Sequence, residues 1–418
     1  MSGLPSYPRL NAEFSPSPLI HPLRSGRAPW SDERPPLPIL ELRGGAGCEV
    51  VVVGAGITGA FAAEALTRQG KSVLIVDRSF PGRGSTAAST AMLLWEIDTS
   101  LVELAERYGF TKASMLYGRC LAAVRELGEL VSGLAIDCNF AARPSLYLAE
   151  SDASPDSLAA EQEARLRASL PSTHLSNAEL QQSFGMSRPA ALVVSGAAEA
   201  DPVRLANGLL HRSFERGARL VADAVVDYQF AQNGAAAVLA SGAVIEARHI
   251  VLATGYDMPS FVPSDLHRIV STWCVATLPQ AEARLWPHRA LVWEAADPYL
   301  YARFDSQDRL LIGGEDAAIS VADARESLMP EKAARLVQRM RGLQPQLEFD
   351  VSHSWSAAFG ETADGLPLIG RVPRAPRAIA AYGYGGNGIT FSYIASRMIA
   401  AIVAGEERQW FSDFALDR

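Results

Sequence analysis

The sequence predicts an α/β protein with a buried parallel sheet at its centre, and three observations carry that expectation. A run of four valines, Val50–Val53, leads into glycines at 54, 56 and 59. The segment "ITGAFAAEALTRQ" that follows has helical composition, with Ile57, Phe61 and Ala65 on one face and a stop at Gly70. "SVLIVDR" is then a second apolar strand that closes on Asp77 and Arg78. Strand, G-x-G-x-x-G, helix, strand, acid is the full context in which those glycines read as a dinucleotide-binding fingerprint.

Each glycine has its own physical reason. Gly54 permits the tight turn, Gly56 lets the backbone approach a pyrophosphate, and Gly59 lets the helix pack close to the strand. The phosphates are expected on the free N–H groups of Ile57 and Thr58, at the positive end of the helix dipole. Asp77 is expected to take the adenosine ribose hydroxyls. An ordinary βαβ unit, with glycines that only relieve crowding, would share part of this pattern. A membrane helix would not, because Glu64 and the glycines interrupt the apolar run.

Composition narrows the function classes. The chain of 418 residues carries a net charge of −8 and a pI near 5.5, which argues against nucleic acid or an anionic membrane as a partner. Cys48, Cys120, Cys138 and Cys274 form no CxxC and no metal-ligand spacing, so no metal and no disulfide framework is expected, and a cytoplasmic location fits. With nine prolines in the first 40 residues and no uninterrupted apolar segment, this stretch is not expected to be a signal peptide. With Tyr7, Phe14 and Trp30 in it, this stretch reads as an extended arm lying on the globule.

Three later stretches choose the dinucleotide. "PGRGSTAASTAML" (81–93) is rich in Gly, Ser and Thr; "GARLVADAVVDYQF" (217–230) leads through a hairpin to "HIVLATGY" (249–256). "WSAAFGETADGLPLIGR" (355–371) is followed by "AYGYGGNGITFSYIASRMIAAIVAGE" (381–406). In this order the stretches resemble the FAD-dependent D-amino acid oxidase family, which includes glycine oxidase, sarcosine oxidase and related amine and amino-acid dehydrogenases. The resemblance runs from about Gly47 to the C-terminus and is weakest over 95–190 and 260–350.

The resemblance implies noncovalent FAD and assigns roles residue by residue. Arg83, Gly84, Ser85 and Thr86 resemble the segment that covers the pyrophosphate, and Ala91, Met92 and Leu93 the strand beside the flavin ring. Val225 matches the residue whose backbone meets the adenine; Ala253, Thr254 and Gly255 match the turn that closes on the cofactor. "GYGGNGIT" also has an independent logic: a turn through Gly386 places the N–H groups of Asn387, Gly388, Ile389 and Thr390 at a helix start. Such an end stabilises negative charge on a reduced flavin. Ala357 and Ala88 stand where relatives carry linking cysteine or histidine.

The substrate side departs from the pattern. Sarcosine-oxidase-like proteins hold a carboxylate with a lysine where this chain has Thr390, and with an arginine where it has Leu94. Arg303, alternating with Tyr301 and Tyr299 in a proposed hairpin over 297–316, is the replacement candidate. An arginine paired with a neighbouring acid on an exposed strand would look the same. Thr390, Arg303 and Tyr301 are therefore the expected substrate-side residues. Trp95 and Trp273 either wall the pocket or belong to the core. Of the three lysines, Lys332 lies in "PEKAARLVQRMRG", which reads as an exposed amphipathic helix.

The expected architecture is a Rossmann-like FAD-binding domain, discontinuous over 45–95, 195–262 and 353–418. An α+β substrate domain on a mainly antiparallel sheet takes 96–194 and 263–352, after an N-terminal arm, 1–44. The expected function is oxidation of a C–N bond in an amino acid or small amine, by hydride transfer to flavin N5. C–O oxidation of a 2-hydroxy acid-type substrate, and a non-catalytic FAD-binding subunit, are the alternatives.

Overall fold

The computed structural model describes residues 24–30, 37–42, 44–263 and 265–418. Two sheets organise them. The first has eight strands among the described residues, and its path runs Leu368–Val372, Ala375–Tyr382, Val244–Leu252, Ala46–Val53, Val73–Asp77, Arg219–Ala222. From Ala375–Tyr382 to Arg219–Ala222 every pairing along this path is parallel. The hairpin Val225–Ala231/Gly234–Leu239 extends it by pairing antiparallel with Val244–Leu252. This is the Rossmann-like sheet the valine run foretold.

Both faces of a parallel sheet are buried, and the strands show it by alternation. Val50, Val52 and Ile75 face the side that holds Phe61, Leu66 and Ile399. Val51, Leu74 and Ile250 face the opposite side, with Phe230, Phe261 and Leu416. The helix Ile57–Arg68 packs against Pro202–Glu215 and the last α-helix, Gly388–Ala404. Glu64, fully buried between them, is held by Arg216 at 3.0 Å and Arg397 at 3.4 Å. The Thr58 and Ser392 hydroxyls, 2.8 Å apart, tie the two helix starts together.

The second sheet has ten strands among the described residues and is antiparallel except where Leu291–Glu294 runs alongside Ala141–Leu148. The expected hairpin over 297–316 is present as Leu300–Phe304 paired with Arg309–Ala317. Helix Met329–Leu343 covers this sheet with Leu336 and Met340, against Trp273, Val275 and Ile312. Of the arm, Tyr7 and Phe14 lie outside the described residues. Arg24–Gly26 pairs with Trp355–Ala357, and Trp30 is buried with its indole N–H donated to Ser89 O at 3.1 Å.

No helix among the described residues is long and apolar enough to cross a membrane. What the fold does for the site is set by strand direction. Val53, Leu252 and Tyr382 end parallel strands at one edge, so the loops that follow them open into the same space.

Candidate active site

That space is a cleft of about 400 Å³, lined by the glycine loop after Val53, the 253–257 turn and the 384–389 turn. Strands and loops of the second sheet, with Thr272, Trp293, Tyr299 and Tyr301, form the opposite wall. The two glycine-rich ends of the sequence, more than 300 residues apart, thus line one cavity.

Sterics explain the first loop. A methyl added at Gly54 would lie 2.3 Å from the carbonyl oxygen of Ala253, and φ there is +104°. One added at Gly59 would lie 1.9 Å from Gly54 O. Gly56 is different: only the Thr86 hydroxyl stands in the way, at 3.1 Å, so the backbone is open toward the cleft. Gly56 and Thr58 line the cavity, whereas Gly59 is packed against Gly54. The N–H of Ile57 is not free as expected, because it donates to Thr86 Oγ1 at 2.9 Å. The short helix Ser85–Ala88 brings that hydroxyl across.

Asp77 lines the cleft at the end of its strand, but its carboxylate already serves the loop. Ala55 N–H donates to Oδ2 at 2.6 Å, and Ser79 donates to Oδ1 from its N–H at 2.8 Å and its hydroxyl at 3.1 Å. Each oxygen keeps a further lone pair for a ligand. Arg78 also lines the cleft and pairs with Asp257 at 2.5 Å. Gly84, Ser85, Thr86, Ala91, Met92, Val225, Ala253, Thr254 and Gly255 all reach the cavity. Arg83 does not: its guanidinium lies over the Phe80 ring, beside a separate pocket shared with Arg24 and Arg27. Leu93 is fully buried in the core instead, since alternation along Met92–Leu93 turns it inward.

At the other end, Gly386, Asn387, Gly388 and Ile389 line the cleft at the start of the last helix. Asn387 N–H is spent on the turn, donating to Tyr384 O at 3.3 Å, so it is not an open donor as expected. Its side chain donates to Glu96 O at 2.9 Å and to Asp98 Oδ1 at 3.2 Å. Gly386 N–H donates to Asp98 Oδ2 at 2.7 Å.

The substrate-side expectations divide. Tyr301 lines the cleft, with its hydroxyl 3.4 Å from Cys274 Sγ. Arg303 shares Tyr301's face of the strand but is buried away from the cleft, because Thr90, Glu199 and Ala200 close over it further along. Its guanidinium donates to Thr90 O at 2.5 Å, Glu199 Oε2 at 3.2 Å, Phe304 O at 3.0 Å and Ala200 O at 2.9 Å. No open face remains for a substrate carboxylate. Thr390 is 1 % exposed and donates its hydroxyl to Leu94 O rather than to the cavity. Trp95 and Trp273 are core residues; Trp293, stacked on Tyr147 at 4.0 Å, is the indole on the cleft wall. Lys332 is not exposed as expected: its ammonium is tucked over Trp273 and donates to Glu315 O at 2.7 Å.

Sequence reasoning missed Asp98, Thr272, Trp293, Phe359 and Tyr384, which all line the cleft. Only "GG" at 385–386 gave a signal: a Cβ at Gly385 would lie 2.4 Å from Asp98 Oδ2. Asp98 sits deep in the molecule yet faces the open cleft. Its surroundings push its pKa up to about 6, burial first and Glu361 adding to it, a shift that water in the open cleft tempers.

These features fit a flavin dinucleotide: glycines 54 and 59 hold the loop, Gly56 leaves room for phosphate, and a helix start faces the far end. The comparisons agree. Residues 49–402 match the FAD-dependent oxidoreductase family, DAO. The chain is 26% identical to gamma-glutamylputrescine oxidoreductase of Escherichia coli strain K12, over 88% of this chain and 86% of that protein. It is 24% identical to glycine oxidase of Bacillus licheniformis, over 88% and 97%. The crystal structure of glycine oxidase from Geobacillus kaustophilus superposes with a TM-score of 0.75 at 21% identity, covering 89% of this chain and 99% of that one. With its family matched over most of its length and its fold shared with glycine oxidase, the chain is a member of the FAD-dependent oxidoreductase family and an enzyme.

Proposed function

We propose that the protein oxidises the C–N bond of a small amine, using noncovalently bound FAD held in the cleft. The observation that carries this reading is the single cavity joining the Gly54–Gly59 loop to the start of the last helix, with a wall of Tyr299, Tyr301 and Trp293 opposite. FAD, when bound, supplies a two-electron acceptor that takes a hydride from the carbon next to nitrogen. The imine left behind is hydrolysed by water.

The side chains have modest work in such a reaction. Gly56, Thr58 and the Ser85–Thr86 segment would hold the pyrophosphate, and Asp77 the ribose. The N–H groups of Gly388 and Ile389 would face the flavin end, where the helix dipole favours negative charge. The aromatic wall orients the substrate and excludes water. Lining by Ala88 and Ala357, and by no cysteine or histidine among the described residues, supports noncovalent attachment. The two sheets support a division into two parts with the cleft between them, at other bounds than those set out above: Met92–Leu93, the end of Ala190–Glu199 and Val351–Thr362 pair in the second sheet. Relatives named for glycine and for gamma-glutamylputrescine support an amine or amino acid over a 2-hydroxy acid.

Anaerobic titration of the purified yellow protein with amines, amino acids and 2-hydroxy acids tests the reading. Bleaching of the flavin band by an amine, with all flavin released as FAD by acid, is the expected result. Bleaching by 2-hydroxy acids alone would reject C–N oxidation; flavin retained in the acid pellet would reject noncovalent binding.

A further inference from the structure

The end of the cleft beside Tyr299 and Tyr301 holds Asp98 and, among the described residues, no cation. Asp98 lines it, and among the described residues its carboxylate accepts from Gly386 N–H and the Asn387 side chain alone. Behind Thr272 and Tyr299, whose hydroxyls hydrogen-bond to its carboxylate, lies Asp316; its Oδ1 is sealed from solvent and has no partner of its own. Tyr299 stands between the two acids: both act on its hydroxyl, and a Cβ built at Gly386 would lie 3.5 Å from it. Tyr299 and Tyr301 lie side by side on the same wall, ring centres 5.7 Å apart and planes tilted by 36°.

Neither acid has a cationic partner among the described residues, whereas the nearby Glu361 is paired with Arg268 at 2.6 Å. Arg78 is the one cation among the described residues that line the cleft, and it sits beside the glycine loop, paired with Asp257. Asp98 faces the open cleft and Asp316 is half-buried behind it, both without a counter-ion, so a group that brings positive charge is favoured there. Tyrosine faces add attraction for the same charge. An α-carboxylate, in contrast, would meet repulsion and no donor cation.

Resting on the amine-oxidation reading, we propose that this end of the cleft selects a diamine or polyamine, an amine bearing a second positive charge in place of an α-carboxylate. Asp98 receives the distal ammonium against the rings of Tyr299 and Tyr301, and Asp316, behind that wall, adds negative charge to it. The reacting nitrogen is then left free of the acids, which suits hydride loss, because a nitrogen held as an ammonium has no lone pair to stabilise the developing imine.

Calorimetric titration of the FAD-loaded full chain at pH 8 tests this with 1,4-diaminobutane, butan-1-amine, glycine and sarcosine. The diamine is expected to bind at least about ten-fold more tightly than the monoamine of equal length, the difference of one charged contact, and more tightly than either amino acid. D98N and D316N should each cut that ratio by about ten-fold. If D98N fails to load FAD, D316N decides, since Asp316 lies behind the cleft wall. Tighter binding of glycine or sarcosine, a diamine-to-monoamine ratio near one, no binding of the diamine, or a ratio unchanged by the substitutions would overturn the proposal. Binding of the diamine with no anaerobic bleaching by any amine would reject the oxidation reading and leave the recognition intact.

Discussion

Thr390 Oγ1 donates to the carbonyl oxygen of Leu94 at 2.8 Å. These are the two positions where sarcosine-oxidase-like proteins are expected to carry carboxylate-holding cations, and here they satisfy each other. The Leu94 side chain faces the cleft, while the Thr390 hydroxyl is turned from it. Thr390→Val should therefore behave as a structural change. Losing this hydrogen bond is expected to cost about 1 kcal/mol in urea unfolding. Relative kcat/KM values across a substrate panel should stay within about three-fold, since a change of ten-fold is roughly 1.4 kcal/mol of lost contact. A selective loss for carboxylate-bearing substrates would show that the hydroxyl turns into the cleft after all.

The glycines of the first loop should separate cofactor binding from folding. Gly56→Val places its side chain toward the cleft, where only the Thr86 hydroxyl is near, at 3.1 Å. The apo chain is expected to keep its helical circular dichroism and lose FAD. Gly59→Ala instead drives a methyl to within 1.9 Å of Gly54 O, a backbone atom with nowhere to go. That variant should lose about 3 kcal/mol or more and express poorly. Stoichiometric FAD in the Gly56→Val protein would remove the phosphate role from this loop.

Arg303 should prove to be a structural arginine. Its guanidinium joins the Thr90 and Ala200 carbonyls to Glu199, which also binds Arg143 at 2.8 Å. Arg303→Met leaves buried Glu199 short of one partner and is expected to destabilise the fold by about 3–5 kcal/mol. Holoprotein that survives should discriminate among amines as the parent does. A variant of unchanged stability with altered substrate preference would return Arg303 to the substrate side.

Asp316 should write a sign into the pH dependence of stability. Burial, with Asp98 and Glu361 adding to it, pushes its pKa from 3.8 to about 7, while Thr272 and Tyr299 work against the shift. The folded state then holds a proton that the unfolded state has released. Its contribution is fully present below about pH 4 and is lost as pH rises through about 7. Thermal midpoints of D316N, compared with the parent at each pH, should show a gap that moves in favour of D316N from pH 4 to pH 8. A gap that stays constant would mean that Asp316 keeps an ordinary carboxylate pKa. Diamine affinity should move the other way in the parent and rise over the same range, because the ammonium needs the ionised acid.

What the sequence by itself determined was the cofactor half. Val50–Val53, the glycines and "SVLIVDR" specify a buried βαβ unit because each carries local information: strand branching, loop sterics, helix length. The last turn, "GYGGNG", was legible for the same reason. Period-two alternation also placed the 297–316 hairpin and told which residues share a face. It could not tell what either face would meet. Arg303 shares Tyr301's alternation but finds Glu199 and the carbonyls of Thr90 and Ala200, residues about 100 to 200 positions away. Asp98 sits in a stretch with no motif, and only the return of Gly385–Gly386 from the far end of the chain gives it a cleft to face. Free donors were misjudged likewise: Ile57 N–H is taken by Thr86, and Asn387 N–H by Tyr384. Local geometry is written in neighbouring residues, whereas partners of buried polar groups are chosen by the packing of distant elements, and so the substrate end was decided only in the tertiary structure.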